Sequence, residues 1–240
     1  MICTLTIVRY PKWLGWAGFL SMAFFRIPLW LNKKIYFWKL MGCGRNGTFD
    51  LMPDWRQWAV LEVWSEESGV RNMDKISDPR LLTVNFLTFW WRFFYCEIWT
   101  LMLEPIEGHG TWDGKQCFGD LPKQTDYEGM IAVLTRATIR LSRLRSFWKN
   151  VNGVATQMAG AGGFITSLGI GEVPWIKQAT FSIWESKAQM KQFAYQMQEH
   201  TEVIRKTRKE DWYKEDMFIR FKIVLSAGTN RGENPLERKL

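Results

Sequence analysis

The chain of 240 residues contains two histidines, and they occupy different sequence contexts. His200 follows Phe193 and Met197 and precedes Ile204 at steps of three or four residues, so these side chains would share one helix face. An imidazole on such a face is either a core histidine or the axial ligand of a haem, which needs one imidazole in an apolar pocket. His109 lies between two glycines, a pattern that predicts an exposed turn.

Three arginines and a glutamate could act with that imidazole. Arg205 and Arg208 follow it closely, and their guanidinium groups are either partners of haem propionates or ordinary surface charges. Arg136 lies in the middle of a predicted strand and faces the same way as Leu134. If that face is buried, the cation needs an anionic partner, which Glu172 or a cofactor carboxylate could supply. If the face meets solvent, Arg136 has no special role.

The composition favours an apolar ligand or a lipid surface over nucleic acid. Apolar residues make up 47 % of the chain, and the 15 Trp, 16 Phe and 11 Met suit a ligand cavity or lipid contact as well as a core. The net charge of +8 could serve nucleic acid, anionic lipid or an acidic ligand. The Lys and Arg residues are scattered and match no nucleic-acid module, so we predict no nucleic-acid partner.

The four cysteines are widely spaced and form no CxxC pair. A zinc site is therefore not predicted, and the thiols are expected to be reduced, as in a cytosolic protein. No basic segment followed by an apolar run and a cleavage site predicts secretion. We expect a cytoplasmic protein that makes peripheral contact with the inner membrane.

Two apolar segments resemble membrane spans. Residues 13–25 are too short to cross a bilayer of about 30 Å, and residues 84–103 contain Arg92 and Glu97. Either segment could be a buried helix or could lie in a membrane interface. We expect the membrane contact to use six aromatic residues, namely Trp13, Trp16, Phe19, Phe24, Phe25 and Trp30.

The order of predicted elements repeats along the chain. Residues 1–128 and 129–240 each read strand, helix, strand, strand, helix, strand, which is a ferredoxin-like order. We predict an α+β fold in which the two ferredoxin-like halves pack as one unit, resembling a dimeric α+β barrel, with an apolar cavity inside. Gly42-x-Gly44 and Gly169-x-Gly171 occupy corresponding positions. They lack the third glycine of a dinucleotide fingerprint and predict tight turns or bulges.

Motifs spread over nearly the whole chain carry a family resemblance. They are Phe37-Trp38-Lys39-Leu40-Met41-Gly42-x-Gly44, residues 134–139, 169–174 and 178–184, and the stretch from Phe193 to Phe221 that contains His200, Arg205 and Arg208. Taken together and in this order, these segments resemble the spheroidene monooxygenase family.

The resemblance implies a haem b enzyme that adds oxygen from O₂ to an acyclic carotenoid near one end, giving a hydroxyl group and then a ketone. At the matching positions it implies catalytic Arg136, Glu172 and Ser182, an iron ligand at His200, and cofactor binding by Trp38, Arg205 and Arg208. Electrons would come from a separate partner such as a ferredoxin, because the sequence contains no flavin or nicotinamide motif.

Three other functions stay open from the sequence. One is a haem lyase of the aldoxime dehydratase type, which needs no external electrons. Another is a protein that binds carotenoid or haem without catalysis, and the third is a barrel oxygenase without a cofactor. The sequence also leaves the oligomeric state open.

Overall fold

The structure, a computed structural model, describes residues 1–45, 52–64, 83, 85–196 and 212–237. The strands are β1 (Ile2–Arg9), β2 (Ile35–Gly44), β3 (Pro53–Trp64), β4 (Glu97–Gly110), β5 (Ile131–Ile139), β6 (Phe164–Val173), β7 (Lys177–Trp184) and β8 (Tyr213–Gly228). The α-helices in these ranges are α1 (Gly15–Phe24), α2 (Arg26–Leu31), α3 (Asn85–Phe93), α4 (Leu144–Ala159) and α5 (Lys187–Gln196).

The strands close into one antiparallel barrel in the order β1-β3-β2-β6-β7-β5-β8-β4. Each half contributes four neighbouring strands in the same relative order, β4-β1-β3-β2 and β8-β5-β7-β6. This confirms the predicted α+β barrel of two ferredoxin-like repeats. The two seams between the halves differ, because β4 and β8 pair along most of their length, whereas β2 and β6 pair only at Gly42–Gly171 and Cys43–Ile170.

Alternate residues of the strands point into the barrel and fill it. Leu5, Leu61, Leu134 and Phe221 are examples from both halves, each at most 2 % exposed. The gap that remains between such side chains is too narrow for a water molecule. Among the described residues, the predicted apolar cavity is absent from the centre of the barrel, because large aliphatic and aromatic side chains from both halves interdigitate there.

Helices α1 and α2 lie on the outward face of the first half and meet at a bend at Phe25. The ring of Phe25 is fully buried against Phe86, Trp90 and Trp91 at the start of α3 and its second turn. The expectation that Phe25 contacts a membrane is therefore wrong, whereas the five other aromatic residues expected there are exposed. By length and composition alone, Lys12–Leu31 could cross a membrane, and one third of its apolar window is buried.

Several predicted boundaries differ from the structure. Both Gly-x-Gly motifs lie inside strands, β2 and β6, and register shifts next to Gly42 and Gly171 confirm bulges in place of turns. His109 does not lie in a turn, because β4 continues to Gly110 and His109 pairs with Phe218. The helix predicted near the end of the second half begins at residue 187, and residues 197–211 lie outside the described ranges.

The loops that follow the last strand of each half have matching hydrogen bonds. Glu215 accepts bonds from the Thr111 hydroxyl at 2.7 Å and the Gly114 N–H at 2.8 Å. Glu97 accepts the corresponding bonds from residues 229 and 232 of the other half. Each half thus anchors the other half's loop, which joins the two repeats into one unit.

Candidate functional site

Arg136 faces the interior of the barrel near the end of β5 and is 2 % exposed. Its guanidinium nitrogens lie 2.5 Å from a Glu215 oxygen, 3.5 Å from Asp113 and 3.7 Å from Glu172. The ring centroid of Trp112 lies 5.3 Å from the guanidinium carbon, a cation–π distance. The prediction that Arg136 points into the barrel is confirmed. Its partners are three carboxylates, whereas the sequence suggested Glu172 alone.

Two lysines complete this cluster. Lys39 contacts Asp113 and lies 2.7 Å from a Glu172 oxygen, and Lys177 lies 2.6 Å from the other Asp113 oxygen. Trp112 Nε1 donates a hydrogen bond to Glu172 at 2.6 Å. We call the set the Arg136 network; it consists of Arg136, Lys39, Lys177, Asp113, Glu172 and Glu215. The network contains three cations and three carboxylates, so it presents no net charge to a ligand. Its side chains also close this end of the barrel.

Hydrogen bonds and neighbouring cations lower the pKa of two carboxyl groups in the Arg136 network, Asp113 and Glu215. Burial alone would raise the pKa of Asp113, but hydrogen bonds and charge from the two lysines lower it to about 2. Burial would likewise raise the pKa of Glu215, but the Gly114 N–H, a threonine hydroxyl and Arg136 lower it to about 2. Both groups are ionised at neutral pH, so neither can act as a general acid there.

Ser182 lies on the opposite face of the sheet from the Arg136 network. Side chains alternate along β7, so Phe181 points into the barrel and Ser182 points outward, where it accepts a hydrogen bond from Trp184 Nε1 at 3.0 Å. The structure therefore brings Arg136 and Glu172 together and separates Ser182 from them. One reacting atom cannot contact all three of the predicted catalytic side chains.

A row of mostly small residues lies on the outward face of the second half; Thr135 is exposed, Gly169 and Phe218 are half-buried and Thr180 is buried. Thr135 of β5 pairs with Thr180 of β7 and with Phe218 of β8, and Thr180 also pairs with Gly169 of β6. Paired residues point to the same face of the sheet. Thr135 is exposed even though it lies in the middle of a central strand. We call these four residues the outer floor, and a flat ligand could lie on it.

Apolar side chains flank the outer floor. Met158 of α4 and Met190 of α5 pack in one cluster with Trp184. Phe193, one turn further along α5, lies against Trp184 with ring centroids 5.1 Å apart. These contacts make the wall of the floor apolar and aromatic, which suits a hydrophobic ligand.

The remaining predicted site residues are not brought onto the outer floor by the described part of the chain. His200, Arg205 and Arg208 lie outside the described residues. Trp38 lies on the outward face of β2 in the first half, where it packs into the core beneath α1 and α2. His109 is exposed at the rim of the outer floor, with its ring centroid 6.0 Å from that of Phe218.

Burial makes the four thiols poor metal ligands. It raises the pKa of Cys43, Cys96 and Cys117 to about 12 and that of Cys3 well above its usual value. Such thiols stay protonated at neutral pH, whereas metals bind the thiolate. All four cysteines are free of disulfide bonds.

A cleft opens on the outward face where β2 meets β6. It holds about 530 Å³ of empty space, part of it open to solvent. Its lining includes Gly42, Gly44, Gly169, Gly171, Trp148 and Trp175. The glycines of the two predicted motifs thus meet across the seam between the halves, where the absence of side chains leaves the groove. We call it the seam cleft, and because Gly169 also belongs to the outer floor, the two surfaces are continuous.

A second buried ion cluster, which the sequence did not predict, lies in the second half beside Phe218 of the outer floor, whose ring centroid is 4.7 Å from the Arg220 guanidinium carbon. Lys187 is 2 % exposed, contacts the Thr125 carbonyl, and lies 3.7 Å from Glu107. Glu107 also pairs with Arg220 and accepts the Thr125 N–H at 2.7 Å. The cluster fastens α5 and the connection between the halves to β4 and β8. A glutamate within the apolar β4 segment was the signal in the sequence.

The chain is similar in sequence to three spheroidene monooxygenases. It is 32 % identical to the protein of Rhodobacter capsulatus over 225 residues, which cover 92 % of this chain and 88 % of that protein. The chain belongs to the spheroidene monooxygenase family. It is also 32 % identical to the Cereibacter sphaeroides protein over 86 % of the chain, but spans only 61 % of that protein. With the Rubrivivax gelatinosus protein it shares 30 % identity over 82 % of the chain and 72 % of that protein. No protein-family model matches the chain.

Solved structures of aldoxime dehydratases share the fold. One, crystallised with butyraldoxime, has a TM-score of 0.60 at 10 % identity and covers 92 % of this chain and 79 % of its own. A second aldoxime dehydratase has a TM-score of 0.57 at 9 % identity and covers 92 % and 80 %. Such low identity shows the architecture alone. The predicted family is confirmed by the sequence relatives, together with an oxygenase as the class of enzyme.

Proposed function

We propose that the chain uses O₂ to oxidise an acyclic carotenoid near one end, first to an alcohol and then to a ketone. The observation that carries the proposal is the continuity of the seam cleft with the outer floor through Gly169. An extended apolar chain would lie along the cleft against Trp148 and Trp175, which contact each other, with its end on the floor. The names of the three relatives support the choice of substrate.

We propose haem b as the cofactor, bound on the outer floor. The small residues Thr135, Thr180 and Gly169 leave a flat surface with apolar flanks, which fits a planar macrocycle. His200 would hold the haem iron, because its spacing from Phe193 in the sequence would place both side chains on one helix face, and Phe193 lies against Trp184. A cysteine ligand is disfavoured, because Cys3, Cys43 and Cys117 are buried in the barrel core and Cys96 packs in the first half, away from the outer floor.

Arg205 and Arg208 would pair with the haem propionates, since they follow His200 closely and guanidinium groups bind carboxylates in a bidentate manner. Trp38 receives no cofactor role, because its ring packs in the first half. When bound, haem would supply O₂ activation. Each hydroxylation consumes one O₂, two electrons and two protons and releases one water. A second round on the same carbon gives a geminal diol, which loses water to form the ketone.

The chain's own residues would bind and orient the substrate and exclude water. We assign Ser182 to proton supply on the outward face, because its oxygen accepts from Trp184 and its own proton remains available to donate. Arg136 and Glu172 would be positioning residues. Glu172 directly follows Gly171 of the seam cleft, so the Arg136 network fixes the β6 backbone that forms the groove. The electrons would come from a separate donor such as a ferredoxin.

The experiment that tests the proposal measures turnover of spheroidene by purified protein, with O₂ and a reductant each present or omitted. We expect a haem Soret band, and an oxidised product only when both are supplied. Turnover of an aldoxime without O₂ would favour a lyase, and carotenoid binding without turnover would favour a binding protein. Turnover without a Soret band would favour an oxygenase that needs no cofactor.

A matched pair of histidine variants tests the axial ligand. His200→Ala should lose haem or shift the Soret band, because it removes the proposed ligand. His109→Ala should leave the band unchanged, because His109 is exposed at the rim of the floor. An unchanged Soret band in purified His200→Ala would show that another residue ligates the iron.

We also propose peripheral contact with a membrane, because acyclic carotenoids are lipid-soluble and the substrate must be drawn from a bilayer. This places the protein at the cytoplasmic side of the inner membrane.

A further inference from the structure

Exposed apolar side chains concentrate on two segments of the first half. Eight large ones lie within residues 12–31 and four within residues 85–95, which together are twelve of the nineteen exposed in the described part of the chain. We call these twelve the aromatic face. They are Trp13, Trp16, Phe19, Leu20, Phe24, Ile27, Trp30, Leu31, Phe86, Phe89, Phe93 and Tyr95. A contiguous exposed apolar patch marks an interaction surface.

The two segments form one continuous surface because α1 and α2 pack against α3. The rings of Trp16 and Phe94 lie 6.1 Å apart, and those of Phe24 and Trp90 lie 5.9 Å apart. Phe25 fills the space between the helices from below. Segments that are far apart in sequence therefore expose their aromatic side chains side by side.

Helix α3 is apolar on both sides. Leu87 and Trp91 are buried beneath it, while Phe89 and Phe93 on its outer side are 67 % and 66 % exposed. These two rings lie 6.4 Å apart and run along the helix. A helix on a water-exposed surface carries polar residues on its outer side, so this pattern indicates an apolar partner.

The charges around the aromatic face identify that partner. Lys12, Arg26, Lys33, Lys34 and Arg92 are exposed within or beside it. No Asp or Glu occurs from residue 10 to 45 or from residue 85 to 96. Tryptophan and basic residues together are typical of the interface of an anionic bilayer.

We propose that the aromatic face docks on the surface of an anionic lipid bilayer, with α1, α2 and α3 lying in the interface and the barrel outside it. A transmembrane orientation of Lys12–Leu31 conflicts with the packing. Gly18 lies so close to Trp58 that an added Cβ would be 2.3 Å from the indole nitrogen, and Phe25 and Leu29 are buried. The segment is therefore held against the barrel along its inner side.

The docked orientation places the bilayer beside the seam cleft. Phe19 of the aromatic face lies 6.5 Å from Trp58, and a Cβ at Gly42 would sit 3.7 Å from the same indole. Gly42 lines the seam cleft. A carotenoid leaving the bilayer thus meets the cleft next to the docking surface. This last step rests on the proposed function, whereas docking itself does not require turnover.

Vesicle flotation tests the proposal with the full chain. Wild-type protein should float with phosphatidylcholine vesicles that contain phosphatidylglycerol, and a carbonate wash should release it. The triple variant Trp13→Ser, Phe19→Ser, Phe89→Ser should partition at least about tenfold more weakly, equal to about 1.4 kcal/mol. The control variant Leu141→Ser, Tyr195→Ser removes equally exposed apolar side chains from the second half and should float like wild type.

A charge variant tests the choice of lipid. Lys33→Glu combined with Lys34→Glu should abolish the preference for anionic over neutral vesicles, and Lys149→Glu in the second half should not. The proposal is overturned if wild type stays in the soluble fraction, or if the triple variant partitions as strongly as wild type. It is equally overturned if carbonate fails to release the protein, which would indicate a span, or if the face mediates dimers that ignore vesicles. Turnover in detergent micelles is measured separately, so a failed oxygenase assay leaves the flotation result unaffected.

Discussion

Replacing Arg136 by methionine removes the central cation of the Arg136 network at nearly constant side-chain length. The change leaves Glu215, Glu172 and Asp113 with two lysines in place of three cations. Removing one partner of a buried ion pair leaves an uncompensated charge and costs about 3–5 kcal/mol. We expect a loss of this size in the free energy of unfolding. The exposed Arg143→Met control should change it by less than about 0.5 kcal/mol.

The pH dependence of this loss follows from Glu215. In the wild type its pKa falls from 4.5 to about 2, against the effect of burial and because of the Gly114 N–H, a threonine hydroxyl and Arg136. A shift of roughly 2.5 pKa units corresponds to about 3 kcal/mol of stability. Because the folded pKa is depressed, that stability is present above about pH 4.5 and is lost as the pH falls toward 2. Without Arg136, the Gly114 N–H and the threonine hydroxyl still lower the pKa of Glu215 but oppose the effect of burial less fully, so the folded pKa rises and the variant loses less stability on acidification.

Urea unfolding followed by tryptophan fluorescence measures both effects. The deficit of Arg136→Met relative to wild type should be largest near neutral pH and should shrink between about pH 5 and pH 2. The double variant with Glu215→Gln should recover part of the loss, because the buried charge left behind is removed. A variant as stable as wild type, or a deficit independent of pH, would refute the idea that Arg136 acts by neutralising these carboxylates.

Two further substitutions test the seam cleft and the helix bend. Gly42→Leu should weaken spheroidene binding at least about tenfold without lowering the melting temperature. The Cβ added at Gly42 meets no atom closer than 3.7 Å. The control variant Gly162→Leu places its side chain in open space and should change neither spheroidene binding nor the melting temperature. Equal spheroidene affinity for both variants would exclude the cleft as the binding site. In urea unfolding, Phe25→Ala should lower the free energy of unfolding by about 3–5 kcal/mol. Phe24→Ala should cost less than half as much, because the ring of Phe24 is 49 % exposed. Similar losses for the pair would show that the bend is not held by Phe25.

The fold and the orientation of Arg136 could be predicted because both depend on local periodicity. Strands alternate their side chains, so Leu134 on the inward face fixes Arg136 on the same face. The repeated order of elements likewise predicts paired halves. The glycine motifs were predicted as separate features, because nothing local in Gly42-x-Gly44 indicates that it faces Gly169-x-Gly171 across a barrel seam.

Of the partners of Arg136, Glu172 was predicted, but Glu215 and Asp113 could not be, since only the closed barrel brings them to it. Glu215 is 79 residues away along the chain and Asp113 is 23 residues away. The burial of Phe25 depends on a bend that turns one aromatic residue inward, while Phe24 beside it stays exposed. The two phenylalanines have the same local hydrophobicity, so the sequence alone does not distinguish them. Only the packing against α3 shows that Phe25 is the buried one.

The two halves differ at one pair of equivalent positions, and that difference explains why the second half carries the outer floor. Thr6 of β1 pairs with β3 and β4 as Thr135 of β5 pairs with β7 and β8. Thr6 is fully buried and hydrogen-bonded to Thr100, whereas Thr135 is exposed. The helices of the first half seal its sheet and turn their aromatic side chains outward. In the proposed function, the first half would face the lipid and the second half would hold the cofactor, and the seam cleft would connect the two surfaces.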